Sequence, residues 1–345
     1  MLNDYFKYGA ITAKVKSMHG YSFKSSDYEA LMSKRNIGEM LSFLKSTESY
    51  GFLLRDMDET AMSRIAIEAA LKKDLFYKYL KLFNYIGFSQ KKSIAYIILK
   101  AEADEILRYV RFIKAHKPDE YFMLKSEFLL EHSKIDFKSL QSKISFNDLQ
   151  QAVKGTHYYS ALSDFGSDFD YTEVEHAVYT SYYGYKLELF SNLDDAAKNQ
   201  ITDMIFTQID FINISAIIRL KGYYGAGNDK ETISKYLLPY SKYLKGNLLN
   251  AVLQAPDKEA VYNALRKSPY GGFFEHSDRM YVDAMIPLFL TRYCKRLFNS
   301  GTPSLGIALA YLQLQEIEIQ NIINIIESVG YDLMPDVMRK YLYIS

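Results

Sequence analysis

The chain has no tryptophan, a single cysteine (Cys294) and only 7 prolines in 345 residues. One cysteine excludes an internal disulfide and fits a reducing compartment. With no second thiol, and with no two of His19, His116, His132, His157, His176 and His276 four positions apart, the spacings of a zinc site are missing. Excess charge is missing too: 42 basic residues face 41 acidic ones for a net +1, mixed along the chain. That excludes the basic footprint by which nucleic acid is held. The best apolar run, Ala284–Leu290, is short and broken by Pro287. A spanning helix needs about 20 apolar residues, so no direct membrane insertion is expected. Met1–Lys7 lacks the basic-then-apolar order of a secretory signal, and the expected location is cytoplasmic. The glycines of Gly222–Gly227 follow a helix and lack Gly-Lys-Ser/Thr, so no phosphate cradle is expected. Asp164, Asp168, Asp170 and Glu173 lack the spacing and central glycine of a calcium loop. No catalytic, cofactor-binding or metal residue is assigned.

Present instead are 48% hydrophobic and 24% charged residues, the balance of a globular chain. The 31 tyrosines fit a compositional bias shared with lysine, isoleucine and asparagine. The informative feature is a repeat. Asp210-Phe211-Ile212-Asn213-Ile214 stands 108 positions after Glu102-Ala103-Asp104-Glu105-Ile106 and 108 before Glu318-Ile319-Gln320-Asn321-Ile322. Each reads acid, two residues, Glu or Asn, then Ile; Val110, Ile218 and Ile326 keep the register. Arg111 and Arg219 match across the first two copies, with Glu327 in the third. A period held twice without slippage signals internal triplication, and predicts helical repeats at 1–124, 125–230 and 231–345.

Along the chain, Asn36 with Glu39, Ser145 with Asp148 and Asp170 with Glu173 read as helix N-caps. Thr47-x-x-Tyr50 recurs as Thr156-x-x-Tyr159, while the third copy offers Lys267 and Tyr270. Leu82-Phe83-Asn84, Leu189-Phe190-Ser191 and Leu297-Phe298-Asn299 close the medium helices. Long helices follow over Ser93–Lys114, about Asn199–Lys221 with Gly222 as the terminator, and Leu305–Ser328; a short helix is expected over Pro335–Tyr343. No segment alternates with period two, so the fold class is all-α. Apolar residues lie on more than one face of the long helices, which must then be buried among other helices. Three such units can close into a cone or ring.

This order of pieces resembles the C-type subunits of the bacterial and archaeal V/A-type rotary ATPases, equivalent to the d-type subunits of eukaryotic V-ATPases. The resemblance rests on the Thr-x-x-Tyr pair, the Asp210 and Glu318 helices, Ile218-Arg219-Leu220-Lys221, and the run Gln315–Ile323, and it covers nearly the whole chain. It implies three similar helical bundles arranged with pseudo-threefold symmetry as a funnel. It further implies a non-catalytic rotor part of the central stalk, present once. Such a part sits on the cytoplasmic face of the membrane rotor ring and receives the axle formed by the D and F subunits. A helical adaptor unrelated to a rotor is the alternative. Two readings of Glu102, Asp210 and Glu318 stand side by side: lining a socket for basic groups of an axle, or tying each long helix to a backbone amide or to Arg111 or Arg219. Glu105, Asn213 and Asn321, one turn further on, are read as packing or hydrogen-bonding residues.

Overall fold

The structure is a computed structural model of the chain. It describes residues 2–58, 64–87, 96–115, 127–141, 145–191, 193, 195–223, 230–275, 282–300, 303–339 and 342–343. Among them there is no strand, and the fold is all-α. The helices are α1 (Leu2–His19), α2 (Ser25–Met32), α3 (Ile37–Ser46), α4 (Gly51–Leu54), α5 (Arg64–Phe83), α6 (Tyr96–Lys114), α7 (Glu127–His132), α8 (Phe146–Ala152) and α9 (Tyr158–Leu162). They continue as α10 (Tyr171–Phe190), α11 (Asp195–Tyr223), α12 (Lys230–Lys235), α13 (Gly246–Gln254), α14 (Lys258–Arg266), α15 (Gly271–Phe274), α16 (Val282–Phe298), α17 (Leu305–Gly330) and α18 (Pro335–Met338).

Local chemistry explains the starts. Asn36 Oδ1 accepts from the Glu39 amide at 2.9 Å, and the Glu39 carboxylate accepts in return from the amide of Arg35. Ser145 and Asp148 complete a reciprocal box at α8, and Asp170 accepts from Thr172 and Glu173 at α10. Each cap satisfies amides that a helix start leaves without partners. Gly222 does not end α11, which runs on to Tyr223. Glu59 and Thr60, which read from the sequence as signals of a helix start, Ser277 or Asp278, which read as a cap in the third copy, and Ser93 lie outside the described residues.

The chain divides into two compact units, Ala95–Ile286 and the pair of segments Met1–Ile94 with Pro287–Ser345. In the two-segment unit, α17 is the centre: 21 of its 26 residues are buried, so it is surrounded on every side. Leu31, Met40, Leu41, Leu44, Tyr50, Leu54, Ile67 and Leu71 pack against Ile319, Ile322, Ile325 and Ile326 in one core cluster. The helix stops through Asp332, which takes the left-handed conformation (φ 54°) as the Leu333 amide turns back to the Ser328 carbonyl.

In the other unit, α6 packs on α10, and α11 packs on α10 and α14. By length and composition α11 could cross a membrane over Ala197–Lys221, contrary to the expectation that no segment is apolar enough. Its apolar side chains are instead used inside the fold: Ile201, Ile205, Ile209, Phe211, Ile214 and Ile217 are buried, and so is Asp210.

Candidate functional site

The three repeated acids are buried, with Glu102, Asp210 and Glu318 at 5%, 0% and 6% exposure. Removing a carboxylate from water is costly unless hydrogen bonds replace the lost hydration. Each long helix answers with a polar seam.

On α11, the Asp210 carboxylate accepts three successive backbone amides, Lys242, Tyr243 and Leu244, with closest approaches of 3.1, 2.7 and 3.0 Å. The Tyr270 hydroxyl donates to the same carboxylate. One turn on, Asn213 pairs with the backbone of Leu238 in both directions, donating at 3.1 Å and accepting at 2.9 Å. The two side chains stitch the peptide 238–244 onto the helix.

On α17, Glu318 accepts from the Phe23 amide at 3.0 Å, the Tyr50 hydroxyl at 2.7 Å and the Gln315 side-chain amide at 3.3 Å. Burial pushes its carboxyl above the ordinary range, against the pull of the Lys78 ammonium and these donors. Asn321 accepts from the Tyr343 amide at 2.9 Å. Lys78 lies 2.8 Å from Asp74 and 2.6 Å from the Gln315 side chain, with its ammonium 5.2 Å from the centre of the Tyr50 ring.

On α6, Glu102 accepts from the Ser133 hydroxyl at 2.5 Å and from the Lys134 amide, and burial again raises its carboxyl pKa. Glu105 turns to its own helix, meeting Arg108 at 2.6 Å. The Tyr158 hydroxyl reaches the Leu99 carbonyl, one turn before Glu102, at 3.0 Å.

The arginines stand apart from the acids. Arg111 donates to the Tyr171 hydroxyl at 2.7 Å and lies over that ring, while Arg219 is exposed. Among the described residues, the partners of the three carboxylates are amides, hydroxyls and the Lys78 ammonium rather than Arg111 or Arg219. Glu68, Glu175 and Asp283 recur at about the same spacing on the medium helices; Glu68 pairs with Lys72 at 2.7 Å, Glu175 accepts from Tyr171 at 3.3 Å, and the Asp283 side chain lies outside the described residues.

What the hydroxyls of Tyr50, Tyr158 and Tyr270 hold is not evident from the sequence. The motif that carries them was legible, with its register off by one in the second copy. Tyr158, not Tyr159, is the counterpart of Tyr50: both are fully buried, whereas Tyr159 is 39% exposed. The reason is the turn. Thr47, Thr156 and Ser268 each donate to a carbonyl three residues back and accept from the amide of the buried tyrosine. Two of the three turns place one residue between hydroxyl and tyrosine, and only the first places two. In the third copy, Ser268 therefore takes the place expected of Lys267. Asp257 caps α14 through the Ala260 amide at 2.8 Å.

A seam of this kind fastens helices; among the described residues no group of three or more His, Cys, Asp and Glu side chains is placed to hold a metal ion. Comparison with known proteins gives the chain its relatives. The chain is 23% identical to the C subunit of the A-type ATP synthase of Methanococcoides burtonii, across 98% of this chain and 94% of that protein. It is 20% identical to the C subunit of the A-type ATP synthase of Thermococcus kodakarensis, across 99% of this chain and 92% of that protein. Over 61% of this chain it is 25% identical to the corresponding protein from Archaeoglobus fulgidus, covering 60% of it. The family model for the ATP synthase (C/AC39) subunit matches residues 11–341, and the chain belongs to that family.

Proposed function

We propose that this chain is the non-catalytic central-stalk component of an A/V-type rotary ATPase, joining the D–F axle to the membrane rotor ring. It transmits torque between them and so couples ATP hydrolysis or synthesis to ion transport. It enters the complex once, as a peripheral part on the cytoplasmic face of the membrane. The observation that carries this reading is the end-to-end family match over residues 11–341, together with A-type ATP synthase relatives that align along almost their whole length. In this reading the repeats at 1–124, 125–230 and 231–345 give three similar bundles about a pseudo-threefold axis, forming a funnel for the axle.

The seams support a mechanical role. A torque-bearing spacer needs stiffness, and close-packed interiors deform little. Glu102, Asp210 and Glu318, with Asn213 and Asn321, act in this reading as internal fasteners of the load path rather than as contacts to the axle. Exposed groups such as Arg219 remain for partner surfaces. The test is a pull-down of this chain with purified D–F, followed by size exclusion. A stable complex with one copy of each chain is expected. Failure of the folded, helical chain to bind either D–F or the purified ring would overturn the proposal in favour of an unrelated helical adaptor.

A further inference from the structure

The seam on α17 differs from the other two in where its partner peptide comes from. Glu102 holds residues 31 positions downstream, and Asp210 holds amides 32 to 34 positions downstream. Glu318 holds Phe23 and Tyr50, separated from it by 295 and 268 positions. A short connection keeps a released peptide close to its acid, and that effective concentration falls as the connection lengthens. The two downstream peptides therefore stay beside their acids through a short stretch of chain, whereas the N-terminal peptide is held near α17 through the helices on either side of it, α1 and α5, which pack on that helix.

The polar fastenings of this peptide converge on a narrow stripe. Gln315, Glu318 and Asn321 lie three residues apart on one face of α17. Gln315 donates to the Ser22 hydroxyl at 2.8 Å, Glu318 takes Phe23 and Tyr50, and Asn321 meets the Tyr28 side chain. A second anchor lies outside, where Arg339 grips Glu29 with two bonds of 2.7 and 3.0 Å. Between stripe and peptide lies a cavity of about 280 Å³, lined by Ser22, Phe23, Tyr28, Gln315, Glu318 and Asn321 among others. Packing is thus incomplete beside the central fastening.

We propose that residues 22–54 form a strap latched by Glu318, which lifts from the last long helix as a unit while α5, α17 and the other compact unit stay folded. The strap is not loosely held, because Leu31, Met40, Leu41, Leu44 and Leu54 are fully buried in the shared core. Its release is a rare sub-global opening of the kind that amide exchange detects. Release bares the face of α17 that carries Gln315, Glu318 and Asn321. This inference stands without the rotor reading.

The test is hydrogen–deuterium exchange, read by mass spectrometry, on the full chain and on Glu318→Ala and Tyr50→Phe. For Glu318→Ala, protection of α2 and α3 is expected to fall roughly tenfold or more, with α5, α10 and α11 unchanged. Tyr50→Phe is expected to lower the same segments by a few-fold, the effect of one hydrogen bond. Loss spread equally through α5 and α17, or no loss in α2 and α3, would overturn the strap. Should Glu318→Ala not fold, Tyr50→Phe decides by the same pattern.

Discussion

The α11 and α17 seams carry an acid at the same repeat position and satisfy it differently. Asp210, one methylene shorter, keeps its carboxylate close to the helix, and the peptide 242–244 wraps it with three amides. Both acids take a tyrosine hydroxyl, but Glu318 reaches further, takes one amide, and makes up the difference with Gln315 and the nearby Lys78. The repeat keeps the need to bury a carboxylate on this helix face, while the means of satisfying it follows the length of the acid and the peptide at hand. A backbone nest is the less forgiving device, since amides cannot be exchanged by mutation and are stranded when the acid goes.

The sharpest way to break the comparison is Asp210→Ala. It strands buried amides and should cost about 3–5 kcal/mol, the size of breaking a buried charged network, read by urea unfolding with circular dichroism. An equal or larger loss from Glu318→Ala would reverse the ranking of the two seams. Next are the glycines that follow the buried tyrosines. A Cβ at Gly51 would stand 2.5 Å from the Lys45 carbonyl oxygen, and one at Gly271 would come as close to that of Arg266. Gly51→Ala and Gly271→Ala should each cost about 1–3 kcal/mol in the same unfolding measurement. By contrast Gly9→Ala, with open space around its Cβ inside α1, should stabilise by up to about 1 kcal/mol.

The tyrosine register is tested by a smaller pair. Tyr158→Phe removes the bond to the Leu99 carbonyl and should cost about 1 kcal/mol, while Tyr159→Phe should stay within about 0.5 kcal/mol. Equal effects would return the motif to Tyr159.

The smallest effect near neutrality distinguishes Glu318 through pH. Its folded carboxyl titrates above its unfolded value because of burial. Its contribution is therefore fully present below the unfolded pKa and is lost as pH rises through the folded one. Glu318→Gln, which does not titrate, should gain stability relative to the natural chain as pH is raised from about 4 to 7. Parallel stability–pH curves for the two would show that the carboxyl is not shifted.

Much of the secondary structure was legible because its causes are local. Asn36, Ser145 and Asp170 announce helix starts within three residues of themselves, and the apolar circumference of Leu305–Val329 announces a buried helix. Misreadings came where local signs were ambiguous. Gly222 looks like a terminator, yet a glycine is also tolerated inside a helix, and α11 continues through it. Thr156-His157-Tyr158-Tyr159 offers two tyrosines, and only burial chooses between them. Helix α13 begins after Lys245 without a side-chain cap, so its start has no local signal.

By itself, the sequence determined that the chain is helical, that its pattern recurs every 108 positions, and that three acids sit at matched places on three long helices. Those properties depend on residue order and helical geometry alone. Only the tertiary structure decided what the acids hold. Asp210 takes the peptide that follows its helix, whereas Glu318, near the end of the chain, takes Phe23 and Tyr50 from near its beginning. The reason is that a buried carboxylate is satisfied by whichever donors packing brings within about 3 Å, and proximity in the fold is not proximity in the chain.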